Sequence, residues 1–519
     1  MTGQPADNGL GSWPARRARM EPGAVALTQG GRQVTYRQLR DRSASLASAL
    51  ATLAVGASDR VAYLGPNAIA TFETLFAAAS LGAIFVPLNT RLAAPEIAYM
   101  LDDSAPAVLV VAPELEQLSA AALARSSTAA HVLHLQAGLN AGYEAAIQDH
   151  AGRLPAPVAV ALSDPALILY TSGTTGRPKG AVLTHGNLTW NTLNQFAHVS
   201  ISRADVSLCT APLFHVLGLA QITLPTLFAG GTVIVIPKFD PGVFLATVAA
   251  ERATAFPLAP TMLQMLCEHP DWDATDLSSV RCVAYGGSPV PERVAQAWLA
   301  RGIPVLQGYG MTEASPGVLM ALRDGSLNRP VSVGVPHFFT DTALLTDDGR
   351  IVTGPGQGEL LVRGPNVFSR YWNRPAASED AFHEGWFRSG DIVRVDPDGW
   401  AYVVDRVKDL IISGGENIYP AEVEAAIAEI DAVDSCGVVG IPDDRWGEVG
   451  AAFIVVREGA DLTAGDVHSH LGGRLARYKI PRRIEFVAGL PRNATGKLLR
   501  QQLRERAHDL TTPGGERDR

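Results

Sequence analysis

The sequence predicts an α/β protein: a large N-terminal domain of layered mixed β-sheets and helices with a β-rich subdomain, followed by a small α+β C-terminal domain. Three observations carry this expectation. A chain of 519 residues is long for one core, since domains run to about 150 residues. Apolar runs of strand length alternate with helical patterns over most of the chain. From about Gly358 the pattern turns to short strands and tight turns, and after Arg406 to a final unit with its own helix and strands.

In chain order, Arg60 to Leu64 and Ala107 to Val111 read as buried strands and Thr71 to Ala83 as a helix. A looser stretch rich in Ala, Gln and Pro, from about Gln136 to Pro157, leads into the apolar run Ala166 to Tyr170 and a Gly/Ser/Thr-rich turn. Further strands, Thr232 to Ile236, Val280 to Tyr285 and Pro304 to Leu306, run into glycines at Gly286, Gly287 and Gly308. Ligands of such sheets bind at the strands' carboxyl ends. Glu359 to Val362, Ile392 to Val395, the turn Asp396 to Gly399 and Trp400 to Val404 form hairpins. Pro420 opens a helix with Val423, Ile427 and Ile430 on one face, and Cys436 to Ile441 and Ala452 to Val456 follow as strands. The expected domains are 1–406 and 407–519, with a frayed tail from about Thr511.

With 47% hydrophobic and 18% charged residues, the composition is globular. A net charge of −9, from 52 acidic and 43 basic residues, weighs against nucleic acid or an anionic membrane as partner, so any anion site is local. The N-terminal segment lacks the apolar core of a secretory signal and no long uncharged apolar run follows, so we expect no membrane span and a cytoplasmic location. Cys209, Cys267, Cys282 and Cys436 show no metal-ligand spacing and read as packing thiols. Only five basic residues are lysine: Lys179, Lys238, Lys408, Lys479 and Lys497. In so arginine-rich a chain a retained lysine points to a need for a compact ammonium, and we expect chemistry at these five.

Tyr170 to Gly180 reads YTSGTTGRPKG. The small residues Thr171, Ser172, Gly173, Thr174, Thr175 and Gly176 let backbone N–H groups approach an anion, and Lys179 adds a point charge, so the run suits a polyphosphate. Any Gly/Ser/Thr run can also be a plain surface loop, but this one follows a strand and ends on a rare lysine. Pro178-Lys179-Gly180 does not close it as a Walker loop closes.

This segment resembles the phosphate loop of the adenylate-forming superfamily, which includes acyl-CoA synthetases, peptide-synthetase adenylation domains and luciferases. Further segments resemble that family in its order: PLFHVLG from Pro212, YGGSP from Tyr285, GYGMTE from Gly308, WFRSGD from Trp386, DRVKDLIISGGENIYPAEVE from Asp405 and PRNATGK from Pro491. The resemblance covers residues 170–497 and implies an enzyme that joins a carboxylic acid to ATP as an acyl-adenylate, releases pyrophosphate and passes the acyl group to a thiol. It implies ATP, Mg²⁺ and coenzyme A as cofactors and a C-terminal domain that moves.

By the same resemblance Lys497 is the catalytic lysine reaching carboxylate and α-phosphate. Thr312 donates to the α-phosphate, and Glu313 is the magnesium-associated glutamate, its carboxylate a hard oxygen ligand. Tyr309 lies against adenine within Gly308, Tyr309, Gly310 and Met311, with Gly287 and Ser288 beside it. Asp391 accepts from ribose hydroxyls, and Arg406 contacts ribose or phosphate before a hinge at Lys408. Gly414 and Gly415 pass close to the pantetheine arm of CoA. Asp391 at a tight turn, or Thr312-Glu313 as a helix cap, are the plain alternatives.

His215 follows Phe214 where the family places an aromatic-histidine pair near the acyl site. The Asp that amino-acid-activating relatives carry there is absent, which argues against an amino acid. Leu217, Gly218, Leu258, Tyr285, Gly286, Gly287, Gly310 and Met311 read as pocket positions. Paired glycines suggest volume for a bulky or extended acid, so we expect a small-molecule fatty, aryl or polycyclic acid, without separating these. An acyl-AMP ligase serving a carrier protein is the alternative, and the oligomeric state is open.

Overall fold

The structure is a computed structural model that describes residues 7–135, 142–171, 177–286, 290, 292–323, 329, 332–346, 348–406, 411–491, 498 and 500–509. The chain divides into two compact units. The first comprises 1–90, 98–170 and 180–405, and the second 91–97, 171–179 and 406–519.

The first unit is built on three sheets. A nine-stranded sheet runs in the order Val335–Pro336, Gly317–Met320, Val305–Gly310, Cys282–Gly286, Ala255–Leu258, Val206–Cys209, Thr232–Val235, Val25–Gln29 and Arg32–Thr35. Its central strands are parallel, and antiparallel pairs close both edges. A seven-stranded sheet places Arg60–Leu64 between Ile84–Pro87 and Val108–Val111, parallel to both. These strands are buried along nearly their whole length, as the uninterrupted apolar runs demand of parallel strands covered on both faces. The helix Ile69–Ser80 is buried on nearly every side, which explains an apolar pattern wider than one stripe.

The third sheet is antiparallel and holds Asp341–Leu345, Gly356–Arg363, Trp386–Val395 and Ala401–Arg406. Its Asp396 to Gly399 turn forms as expected. The Asp396 carboxylate accepts from the N–H groups of Asp398 and Trp400, and Gly399 takes a φ of 84°.

In the second unit the helix Pro420–Ala428 buries Val423 and Ile427, with Ile430 packed beside them, against the hairpin Val433–Asp443 and Gly447–Val456. Among the described residues no helix is long and apolar enough to cross a membrane. The cysteines are free, Cys209 and Cys282 buried and Cys267 and Cys436 half-buried.

Two expectations need correction. The stretch after Gln136 is not loose throughout, because Tyr143–Asp149 is a helix whose buried Tyr143 hydroxyl donates to Glu73 at 2.9 Å. The lysines do not all serve chemistry. Lys238 is an exposed loop residue. Lys479, 3% exposed, donates to Glu96 at 2.7 Å and Glu422 at 2.8 Å. A flexible ammonium is what two converging buried carboxylates need, so that lysine was kept for packing.

Candidate active site

The segment after Pro212 folds into a π-helical turn, Leu217–Gln221, a geometry frequent at functional sites. It leaves Phe214, His215 and Leu217 partly exposed, the two rings 4.8 Å apart, and buries Gln221. The helix His185–Val199 lies behind it, started by a reciprocal cap in which Thr184 and Asn187 each accept from the other's backbone N–H. From that helix Asn191 donates to the Ala220 carbonyl at 2.8 Å and accepts from the Gly317 N–H at 3.3 Å.

The strand Val305–Gly310 continues beyond the run expected from sequence, through the glycines to Gly310. Gly286 and Gly308 are register partners, and so are Tyr285 and Gln307. Successive residues of a strand face opposite sides, so the two pairs separate. Tyr285 packs with Leu258 in a core cluster, its hydroxyl donating to Gln307 at 3.1 Å. Leu258 and Tyr285 therefore belong to the core and not to the acid pocket.

The glycines also divide. A Cβ on Gly310 would stand 1.8 Å from the Pro316 carbonyl oxygen, and one on Gly218 would stand 2.3 Å from that of Pro212. Both are demanded by close backbone passage and leave no volume. At Gly308 the nearest atoms would be the Tyr285 carbonyl oxygen at 3.5 Å, Gln221 Nε2 at 3.7 Å and Met320 Cε at 3.7 Å, which is ordinary contact. A Cβ on Gly286 would stand 3.0 Å from the Gly308 carbonyl oxygen, a tight approach to backbone, and 4.0 Å from Leu217 Cδ1. Leu217, Gly308 and Gln221 thus border the more open side of these strand ends.

Beyond Gly310 the chain passes Met311 and makes a short 3-10 turn, Thr312–Ala314. Asn366, fully buried, clamps it by donating to the carbonyls of Ala314 at 2.9 Å and Gly317 at 2.8 Å. The Glu313 carbonyl accepts from the Phe368 N–H at 2.7 Å, and its carboxylate accepts from the Tyr371 hydroxyl at 2.7 Å. Neither Asn366 nor Tyr371 carried a motif that marked it in the sequence.

The structure brings Tyr309 and Asp391 together across 82 residues of chain, the phenol donating to the carboxylate at 2.7 Å. Asp391 does not close a tight turn. It ends a bulge in the strand Trp386–Val395, where register with Gly356–Arg363 shifts and Gly390 takes a φ of 73°. Glu359, also missed from sequence, holds that bulge, accepting from the Gly390 N–H at 3.2 Å and from Arg388 at 2.5 Å. The Arg388 guanidinium is held above its usual range by its bond to Glu359.

In the second unit the Thr171 hydroxyl donates to the Lys179 carbonyl at 3.3 Å. Gly414 and Gly415 form the two-residue turn of the hairpin Ile411–Ser413 and Glu416–Ile418, with φ of 59° and 83°. Two positive φ values in such a turn explain why both positions are glycine. A Cβ on Gly414 would stand 2.6 Å from the Trp446 ring. Ser172, Gly173, Thr174, Thr175, Gly176, Gly287, Ser288, Lys408 and Lys497 lie outside the described residues, as does the Arg406 side chain.

Comparison with known proteins fits this geometry. The AMP-binding enzyme family matches residues 14–372, and the AMP-binding enzyme C-terminal domain matches 422–497. The chain is 47% identical over 500 residues to a feruloyl-CoA synthase of an Amycolatopsis species, covering 96% of this chain and 99% of that one. It is 42% identical to an indoleacetate–CoA ligase of Aromatoleum aromaticum, covering 96% and 98%. The solved structure of o-succinylbenzoate CoA synthetase from Bacillus subtilis, bound with a product analogue, superposes with a TM-score of 0.86 at 32% identity, over 95% of this chain and 98% of that one. A strand running into Tyr309, the Asp391 carboxylate held by that tyrosine, and Thr312 and Glu313 in the next turn thus occur in a chain that belongs to the AMP-binding enzyme family, among its AMP-forming acyl-CoA synthetases.

Proposed function

We propose that the chain activates a bulky aryl acid, converting it with ATP to an acyl-adenylate and pyrophosphate and then transferring the acyl group to coenzyme A. The reading rests on one stretch, Gly308 to Glu313, which borders the acid space at one end and carries Tyr309, Thr312 and Glu313 at the other. The names of two relatives, a feruloyl-CoA synthase at 47% identity and an indoleacetate–CoA ligase at 42%, favour an aryl acid over a fatty acid, the substrate named for a 36% identical relative.

In the first half-reaction a carboxylate oxygen attacks the α-phosphorus of ATP. A C–O–P link forms, the bond to the β-phosphate oxygen breaks and pyrophosphate leaves. Two anions meet, so positioning and charge neutralisation supply the catalysis. Tyr309 takes the adenine face, Asp391 the ribose hydroxyls, and Thr312 donates to the α-phosphate, with Arg406 and the 171–176 loop and Lys179 on the nucleotide. Lys497, from a domain we place at 407–519, bridges carboxylate and α-phosphate. Glu313 would hold Mg²⁺, its carboxylate being a hard oxygen ligand suited to that cation. The ion would supply neutralisation of phosphate charge.

In the second half-reaction the CoA sulfur attacks the acyl carbon, AMP leaves and the thiol proton passes to solvent. Gly414 and Gly415 admit the pantetheine arm, and His215 lines the acyl side. Lys497 and the glycine turn serve different steps, so the 407–519 domain turns about a pivot near Arg406 and Lys408. A cytoplasmic setting, with reduced thiols, goes with this reading.

The test is pyrophosphate and thioester formation from ATP, Mg²⁺, CoA and a panel of aryl, fatty and amino acids. Acid-dependent release of both, greatest with aryl acids, is expected. Pyrophosphate without thioester points to a carrier protein as acceptor, and no acid-dependent release across the panel refutes the reading.

A further inference from the structure

Beneath the partly exposed Leu217, Gly286 and Gly308 lies a buried pair of amides that the adenylation chemistry does not use. Gln221, 5% exposed, ends the π-helical turn, and Gln195, fully buried, projects from the helix His185–Val199. The Gln221 Nε2 donates to the Gln195 Oε1 at 3.3 Å. The Gln195 Nε2 has no hydrogen-bond partner among the described residues. An orphaned buried donor is costly, and beside a strand end where a ligand could enter, a group that satisfies it recovers that cost.

The place of the pair settles which ligand. Gln221 Nε2 is the polar side-chain atom that a Cβ on Gly308 would meet, so the amides stand at the floor of the acid space, below the strand ends. The wall beside them is uncharged. Met320 Cε lies as close to the Gly308 position as Gln221 does. Asn191 and His198 share the helix face of Gln195, and the His198 ring stacks edge-on against that of buried His337 at 4.5 Å. A carboxylate or an ammonium at this depth would find no opposite charge among these residues. A neutral hydroxyl, both donor and acceptor, matches a pair that offers an amide N–H and an amide oxygen.

We infer that the acid carries an uncharged hydroxyl at the end of its ring remote from the carboxylate, and that the Gln195–Gln221 pair reads it as the specificity determinant of this site. The inference rests on the aryl-acid synthetase reading and adds to it the polar group and the residues that select it. Neither an alkyl chain nor an unsubstituted ring can satisfy the amides. Either leaves a desolvated donor behind, the situation in which hydrogen-bonding pockets discriminate most strongly.

The test compares kcat/KM for matched pairs, 4-hydroxycinnamate against cinnamate and 4-hydroxyphenylacetate against phenylacetate, with octanoate as the alkyl acid. The wild type is expected to prefer the hydroxylated member by about 10- to 100-fold. Gln221→Leu should lower kcat/KM for the hydroxylated acids and raise it for the unsubstituted ones, collapsing or inverting the ratio. A purely structural effect would lower both alike. Gln221→Asn, which keeps the amide but shortens its reach, and Gln195→Leu give two further readings of the same ratio, with the thermal midpoint of each variant reporting folding. Turnover in the wild type without preference for the hydroxyl, or a ratio unchanged in Gln221→Leu, overturns this inference and leaves the synthetase reading standing. No turnover of any acid overturns both.

Discussion

Replacing Tyr371 by Phe removes the hydrogen bond that the phenol gives to Glu313. The phenol donates to the Glu313 carboxylate at 2.7 Å, and the ring packs edge-on against Phe368 with centroids 4.8 Å apart. Phenylalanine keeps that packing, and the Glu313 backbone stays pinned because its carbonyl accepts from the Phe368 N–H. What is lost is a donor to an ionised carboxylate, worth about 1.5–3 kcal/mol. At roughly 1.4 kcal/mol per tenfold, that is about 10- to 100-fold in kcat/KM for ATP if the carboxylate must be held in place in the transition state. A loosened carboxylate should also raise the Mg²⁺ concentration giving half-maximal rate. The assay is initial-rate pyrophosphate release, with ATP and Mg²⁺ varied in turn and the unfolding midpoint measured alongside. A kcat/KM within twofold of wild type, with an unchanged Mg²⁺ requirement, would refute the claim that Tyr371 positions Glu313.

Other outcomes follow from the same structure. Gly414→Ala forces a side chain onto a φ of 59° and into the Trp446 ring. It should cut thioester formation by about tenfold or more while acid-dependent pyrophosphate release persists, and equal loss of both steps would exclude a thiol-step role for the turn. Burial pushes His337 down to about 3, helped by His198, and pushes His185 down to about 4. Both fold neutral, so the stability they contribute is fully present above pH 6.5. It is lost as pH falls towards 4, at up to about 1.4 kcal/mol per pH unit for each. Burial lowers His198 as well, so urea midpoints from pH 7 to 5 should fall accordingly and His337→Leu should remove about a third of the histidine-derived slope; an identical slope would contradict it. Lys479→Met strands the Glu96 and Glu422 carboxylates in the interior and should cost about 3–5 kcal/mol of stability. Glu422 is raised, chiefly by its burial, so it binds its proton more tightly folded than unfolded and opposes folding as pH rises above about 4.5. Adding Glu422→Gln should therefore recover part of the loss at pH 7, and no recovery would remove the carboxylate from the account.

The elements legible in the sequence were those with strong local pattern. The run Arg60 to Leu64 is a strand with the same ends, and the Asp396 to Gly399 turn and the Pro420 helix stand where turn chemistry and capping place them. Motif residues were legible too, because Tyr309, Thr312, Glu313 and Asp391 sit in short stretches of unusual composition. Their supports were not. Asn366, Tyr371 and Glu359 act through one or two contacts each to chain 29 to 58 residues away, and nothing local distinguishes them from surface residues. The rarity of lysine misled for the same reason: a buried ammonium between Glu96 and Glu422 and a catalytic one are equally hard to replace by a guanidinium, and composition cannot separate them.

The acid pocket shows where one further step of sequence reasoning would have helped. Tyr285 and Gly286 are adjacent in a strand, so they face opposite sides, and assigning both to one pocket was inconsistent with a period of two. Glycine as a sign of volume also fails without a partner. Gly218 and Gly310 meet backbone at 2.3 and 1.8 Å, whereas at Gly308 the nearest atom, the Tyr285 carbonyl oxygen, stands at an ordinary 3.5 Å. The glycines fix how closely the chain packs, and residues reaching in from elsewhere fix what is recognised. Gln195 and Gln221 lie 26 residues apart on different elements, each in a stretch that reads as an unremarkable amphipathic or apolar segment. On the proposed reading, selectivity at this site is carried less by the motifs that mark the chemistry than by the polar side chains that a well-packed helix and its neighbouring turn bury beneath them. Exchanging that helix face, with every motif left intact, should change the acid accepted and leave nucleotide handling in place.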